Sequence, residues 1–137
     1  MDARQINDEL TVSPQISVND VARIAALGYK SLICNRPDHE DPGQPSFDEI
    51  AAAAEAAGLE VRFQPVVSGM VLNEDAETFG QSLADLPKPV FAYCRSGTRC
   101  AMLWSLSKVG NLPADEILEA AGRAGYNLAG MAHRLEG

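Results

Sequence analysis

The sequence predicts an α/β fold: three α/β/α layers around a central, mainly parallel sheet of four to five strands. Three observations carry that expectation. Short apolar segments alternate with helical patterns along most of the chain, the mark of βαβ units with right-handed crossovers. The helical stretches open on Ser or Asn and close on Gly or Pro, so each has a start and a stop signal. The segment VFAYC (90–94) is apolar enough throughout to be covered on both faces, as a central parallel strand must be. At 137 residues the chain reads as one domain, 1–137, long enough for a proper core.

The elements follow in order. ELTVS (9–13) is a first strand. Ser17 and Asp20 form a capping box for a helix that turns Val21, Ile24 and Ala25 inward and closes at Gly28. KSLIC (30–34) is a second strand and leads into the polar loop NRPDHEDPGQP. Ser46 and Glu49 repeat the capping box, opening an alanine-rich helix that ends at Gly58. LEVRF (59–63) is a third strand. Asn73 then caps a helix with Ala76, Phe79, Leu83 and Leu86 on one face, stopped by Pro87. VFAYC is the fourth strand, and a helix from about Arg99 to Val109 ends at Gly110. Two further helices complete the chain, the last with Leu128, Met131, Ala132 and Leu135 at i, i+3, i+4 and i+7.

Composition narrows the function. A net charge of -8 disfavours a nucleic-acid partner, because phosphate backbones reward basic surfaces. No apolar run approaches the roughly 20 residues of a membrane span. The polar, acidic start MDARQINDEL is unlike a secretory signal, so a cytoplasmic location is expected. Cys34, Cys94 and Cys100 are an odd number and make no disulfide framework. The sequence does not specify an oligomeric state.

In sheets of this kind ligands bind beyond the carboxyl ends of the strands. Three loops leave that edge: NRPDHED, PVVSGMVLN and CRSGTR. In the last, Arg95, Ser96, Gly97 and Thr98 separate Cys94 from Arg99. Small residues let successive N–H groups turn inward as an anion-binding nest, and the helix N-terminus adds partial positive charge. Two guanidinium groups add full charges, and Arg99 can offer an oxyanion a bidentate fork. Such a setting lowers a thiol pKa from about 8.5 into the range of roughly 3.5–7.5. Cys94 is therefore the expected nucleophile, in preference to a small buried hydrophobe. Cys34 lacks a basic loop of this kind and is read as core.

The motifs YCRSGTR, NRPDHE and LTVSPQIS together resemble the bacterial beta-lactamase hydrolase-like protein family, from about Leu10 to Leu128. Members are described as phosphatase-like in fold and, in several cases, as sulfur transferases. The resemblance implies the fold of cysteine-dependent protein tyrosine phosphatases, with Cys94 as nucleophile and Arg99 as the oxyanion-binding arginine. Those phosphatases place one residue more between cysteine and arginine than the four found here, and four is the spacing of many rhodanese-like sulfurtransferases.

Two mechanisms follow. In sulfur transfer, the Cys94 thiolate takes a sulfane sulfur from a small anionic donor, thiosulfate or a persulfide. It then passes that sulfur to a thiol acceptor, and no general acid is required. In phosphoester hydrolysis through a phosphocysteine, an alkoxide or phenolate leaving group benefits from a proton donor. Asp38 and Asp75 are the candidate acids, although Asp38 reads equally well as a turn or capping residue. With no aspartate directly after the proline of PVVSGMVLN, sulfur transfer ranks first and phosphatase second. A non-catalytic anion-sensing module is the third class.

Cys100 stands where the family usually has Ser or Thr. Three roles are open to it: a weak thiol donor to the nucleophile, a resolving thiol for an oxidised Cys94, or a buried helix residue. Asn35 and Arg36 could border the cradle, or Arg36 could pair with the acidic residues beside it. His39 is placed on a loop and His133 on a surface face. The nest favours anions over zinc, so neither a metal nor an organic cofactor is expected.

Overall fold

The computed structural model describes residues 1–136. The strands are β1 (Arg4–Gln5), β2 (Leu10–Ser13), β3 (Ser31–Cys34), β4 (Glu60–Phe63) and β5 (Val90–Tyr93). The helices are α1 (Val18–Ala26), α2 (Phe47–Ala56), α3 (Asn73–Asp85), α4 (Thr98–Ser107), α5 (Ala114–Arg123) and the single turn α6 (Ala132–Leu135). The strands form one sheet in the order β1-β2-β5-β3-β4. All pairings are parallel except that of β1, which lies antiparallel on β2. This edge strand has no counterpart in the sequence reading, since two exposed residues carry no periodicity.

Alternation along the central strands divides the core in two. Val90 and Ala92 of β5, with Ile33 of β3, face a cluster that includes Phe79, Leu103, Trp104 and Ile117 of the α3–α5 side. Phe91 and Tyr93 of β5, with Leu32 and Cys34 of β3, face Val21 and Ile24 of α1 and Ile50 and Ala54 of α2. Both faces of the sheet are therefore covered, as a mainly parallel sheet requires. Cys34 is buried core, and burial pushes its thiol up to about 11. No helix among the described residues is long and apolar enough to cross a membrane.

The expected caps are realised differently at each helix. At α1 both halves of the box form: Ser17 Oγ accepts from Asp20 N, and Asp20 accepts from Ser17 N. At α2 Ser46 Oγ accepts from Glu49 N at 3.2 Å, without the reciprocal bond. At α3 Asn73 is already helical, and the cap is the Asp75 carboxylate accepting the Leu72 N–H at 3.0 Å. The expected last helix is a 3-10 turn (Ala129–Met131) followed by α6, too short for its periodicity to build a regular helix.

Candidate active site

Strand β5 lies between β2 and β3, so its carboxyl end opens at the middle of the sheet edge. Cys94 is the first residue beyond it, fully buried, its N–H bonded to Ser13 O at 3.2 Å. Gln15 N anchors the loop from outside by donating to Arg95 O at 3.2 Å. Gly97 then turns the chain into α4 with φ of 91°, a left-handed conformation natural to glycine. That turn aims the Gly97 N–H inward, where it donates to Cys94 Sγ at 3.1 Å.

The electrostatics of Cys94 follow from these neighbours. The Cys94 thiol is pulled down to about 6, first by the Cys100 side chain and against the cost of burial. The N–H groups of Cys100 and Gly97 and the charge of Arg99 add to the effect. Cys100 itself is fully buried and its thiol is pushed well up. It has one proton and two acceptors, Asn35 Oδ1 at 3.2 Å and the Cys94 sulfur. Once Cys94 is a thiolate the charged acceptor is favoured, since charge-assisted hydrogen bonds are roughly twice as strong as neutral ones.

Arg99, on the first turn of α4, is buried and held by a residue the sequence reading did not single out. Its Nη1 donates to Glu40 Oε2 and to Val66 O, each at 2.8 Å, and its Nη2 donates to Glu40 Oε1 at 2.8 Å. Glu40 thus takes the end-on edge of the guanidinium. The side-on edge, Nε–H with the second Nη2 hydrogen, has no protein partner among the described residues. Glu40 Oε1 also accepts from Arg36 Nε at 2.9 Å. Bonds from Arg99 and then Arg36 hold the Glu40 carboxyl down at about 2, so it is ionised throughout the neutral range.

The remaining expected residues divide. Arg36 pairs with the acidic loop, bonding Glu40, Asp41 and Gln15. Asn35 joins three parts of the site: its Nδ2 donates to Gln64 O at 2.9 Å, its Oδ1 meets Cys100, and its carbonyl accepts from Val66 N. Arg95 is largely exposed and reaches Asp41 at 3.2 Å. Ser96 and Thr98 bond each other through their hydroxyls at 3.0 Å. Asp38 is turned to capping: its Oδ1 accepts the Phe47 N–H at 2.8 Å at the start of α2. Asp75 caps α3 in the same way. His39 and His133 are both exposed. Tyr126 also escaped the sequence reading. Its hydroxyl lies 3.4 Å from Ser96 O and fills the space a side chain at Gly97 would need. Glu40 and Gln15 carried no signal beyond their polar loops, because their partners lie 59 and 21 residues away in sequence.

Among the described residues, no group of three or more His, Cys, Asp or Glu side chains is placed to hold a metal ion. The arrangement sets a buried thiol of lowered pKa, the N–H groups of Gly97 and Cys100 on its sulfur, and a guanidinium held by Glu40 around one loop, a combination chemically suited to an oxyanion.

The mainly parallel sheet, with Cys94 and Arg99 on one loop into a helix, has a fold of the protein tyrosine phosphatase-like class. Within that class, the chain belongs to the family described as Beta-lactamase hydrolase-like protein, phosphatase-like domain, whose family model matches residues 2–111. It is 36% identical to the Beta-lactamase hydrolase-like protein of Agrobacterium fabrum over 99% of its length, and it spans 32% of that relative. The chain thus covers about a third of the curated relatives it matches. The crystal structure of a phosphatase candidate from Neisseria meningitidis is 41% identical, covers 98% of this chain and 96% of its own, and superposes with a TM-score of 0.89. The structure of Tk-PTP in the active form, 17% identical with a TM-score of 0.75 over 98% of this chain and 90% of its own, shares the fold.

Proposed function

We propose that this chain is a cysteine-dependent phosphatase domain that hydrolyses phosphate monoesters through a phosphocysteine on Cys94. The observation that carries the reading is the buried Arg99 guanidinium, clamped end-on by Glu40, its side-on edge without a partner among the described residues and its charge acting on the Cys94 thiol. A phosphoryl group matches that edge, because two of its oxygens accept a planar fork and the loop N–H groups serve the third. The Cys94 sulfur attacks phosphorus, the S–P bond forms, and the P–O bond to the leaving group breaks with its electron pair on oxygen. Water then attacks the phosphocysteine, S–P breaks, the thiolate returns, and phosphate leaves with the protons of the water shared between it and solvent. In this second step the Cys100 thiol donates to the departing sulfur, the weaker version of a hydroxyl's role. Its alternative role as a resolving thiol has its partner close by, and its mark would be a Cys94–Cys100 linkage after peroxide treatment.

Sulfur transfer, ranked first from the sequence, becomes the second reading. Both the family description and the well-matched Neisseria structure point to phosphatases, and neither the loop length nor the absent aspartate outweighs them. The test runs both chemistries in parallel. With para-nitrophenyl phosphate, an acid-quenched phosphoprotein is expected, with turnover lost on the order of 10⁴-fold or more in Cys94→Ser. A gain of one sulfur from thiosulfate, without aryl phosphate turnover, would make the domain a persulfide carrier. Silence in both would leave anion sensing.

A further inference from the structure

We infer that this site acts on phosphoryl compounds whose leaving group departs as a stable anion without receiving a proton, such as phosphoanhydrides, acyl phosphates and nitrophenyl phosphates. The inference rests on the phosphatase reading and narrows its substrate class. Cleaving an alkyl ester releases an alkoxide, and a positioned acid then contributes about 10²- to 10⁴-fold. That acid must hold a proton at the working pH and be free to point at the leaving oxygen.

The carboxyl groups that bond into or act on the loops of this edge are committed elsewhere, and Asp2, whose charge acts on Tyr126, is paired with Arg4 at 3.2 Å. Asp38 and Asp75 cap helices with bonds of 2.8 and 3.0 Å. Asp41 is shared by Arg36 and Arg95. Glu40 spends both oxygens on Arg99 and one again on Arg36, and it carries no proton near neutrality. The segment QPVVSGMVL (64–72), which borders the site through the bond from Arg99 to Val66 O, contains no carboxylate at all.

Other protonated groups are poorly suited. The Tyr126 hydroxyl points at Ser96 O, and its phenol is pushed up to about 12 by burial and then by the charges of Cys100 and Cys94. A group that keeps its proton so firmly donates weakly to a leaving oxygen. The Cys100 thiol is aimed at Asn35 and Cys94. His39, exposed on the acidic loop, is a further protonatable side chain, and it is included in the test.

The experiment measures kcat/KM, which reports the step that breaks P–O, for acetyl, dinitrophenyl, nitrophenyl, phenyl and glycerol phosphates. A fall of more than about 10²-fold from nitrophenyl to phenyl phosphate is expected, with no descending limb between pH ~7 and ~9 and the same slope in His39→Ala. A smaller fall, or a descending alkaline limb, would overturn the inference while leaving the phosphatase reading intact. Steepening of the slope in His39→Ala would name His39 as the donor and overturn it as well. No phosphocysteine and no turnover with any compound would overturn both.

Discussion

The Cys94 thiol ionises below neutrality because of what touches it, and its neighbours differ in how they act. Cys100 supplies the largest share of the stabilisation of the thiolate, ahead of the loop amides and Arg99. Cys100→Ala is therefore expected to move the alkylation midpoint of Cys94 upward from about 6, whereas Cys100→Ser restores a donor and keeps it low. The pH dependence of iodoacetamide labelling at Cys94 reads this directly. Glu40 acts on the arginine. Its folded pKa of about 2 lies below the ordinary 4.5, so it stabilises the fold fully above 4.5, and that contribution is lost as pH falls toward 2. Glu40→Gln should lack this acid-side loss. It should also be less stable at neutral pH by about 2 kcal/mol, a figure reduced from the fully buried case because Glu40 is partly exposed. Urea titrations from pH 2 to 7 compare the two proteins.

At the scale of elements, the loop between β5 and α4 works because one residue can adopt an otherwise unfavourable conformation. Gly97→Ala would set a side chain at φ of 91°, costing about 1–2 kcal/mol, and would drive it into the Tyr126 hydroxyl. A loss of at least ~10²-fold in kcat/KM is expected, because the displaced N–H no longer reaches Cys94. Adding Tyr126→Ala removes the collision but leaves the backbone strain, so only partial recovery is expected in the double variant. The same scale shows where sequence reading reaches. The Ser17–Asp20 box was legible because its two partners lie three residues apart and act through local backbone geometry. Asp38 looked like a possible acid because its real partner, the amide of Phe47, lies nine residues away across a loop with no periodic pattern.

At the scale of the whole molecule, the sheet that carries the loop is covered on both faces. Trp104 and Phe79 are among the largest buried side chains, and α3 packs on α4 through this layer. Trp104→Ala is expected to destabilise the protein by about 3–5 kcal/mol, measured by denaturant unfolding at neutral pH. The alternation of apolar strands and capped helices, and the position of Cys94 after a fully buried strand, were determined by the sequence alone. Both depend on short-range periodicity and on local conformational preferences, which are written in neighbouring residues. The tertiary structure alone decided that Glu40 would clamp Arg99, that Asp38 and Asp75 would be caps, and that Tyr126 would lie over Gly97. The Glu40 and Tyr126 contacts span 59 and 30 residues, and only the sheet order β1-β2-β5-β3-β4, which gathers the loops at one edge, makes them. The two caps are short-range, but the acidic loops offered several carboxylates and only the folded loop paths chose among them.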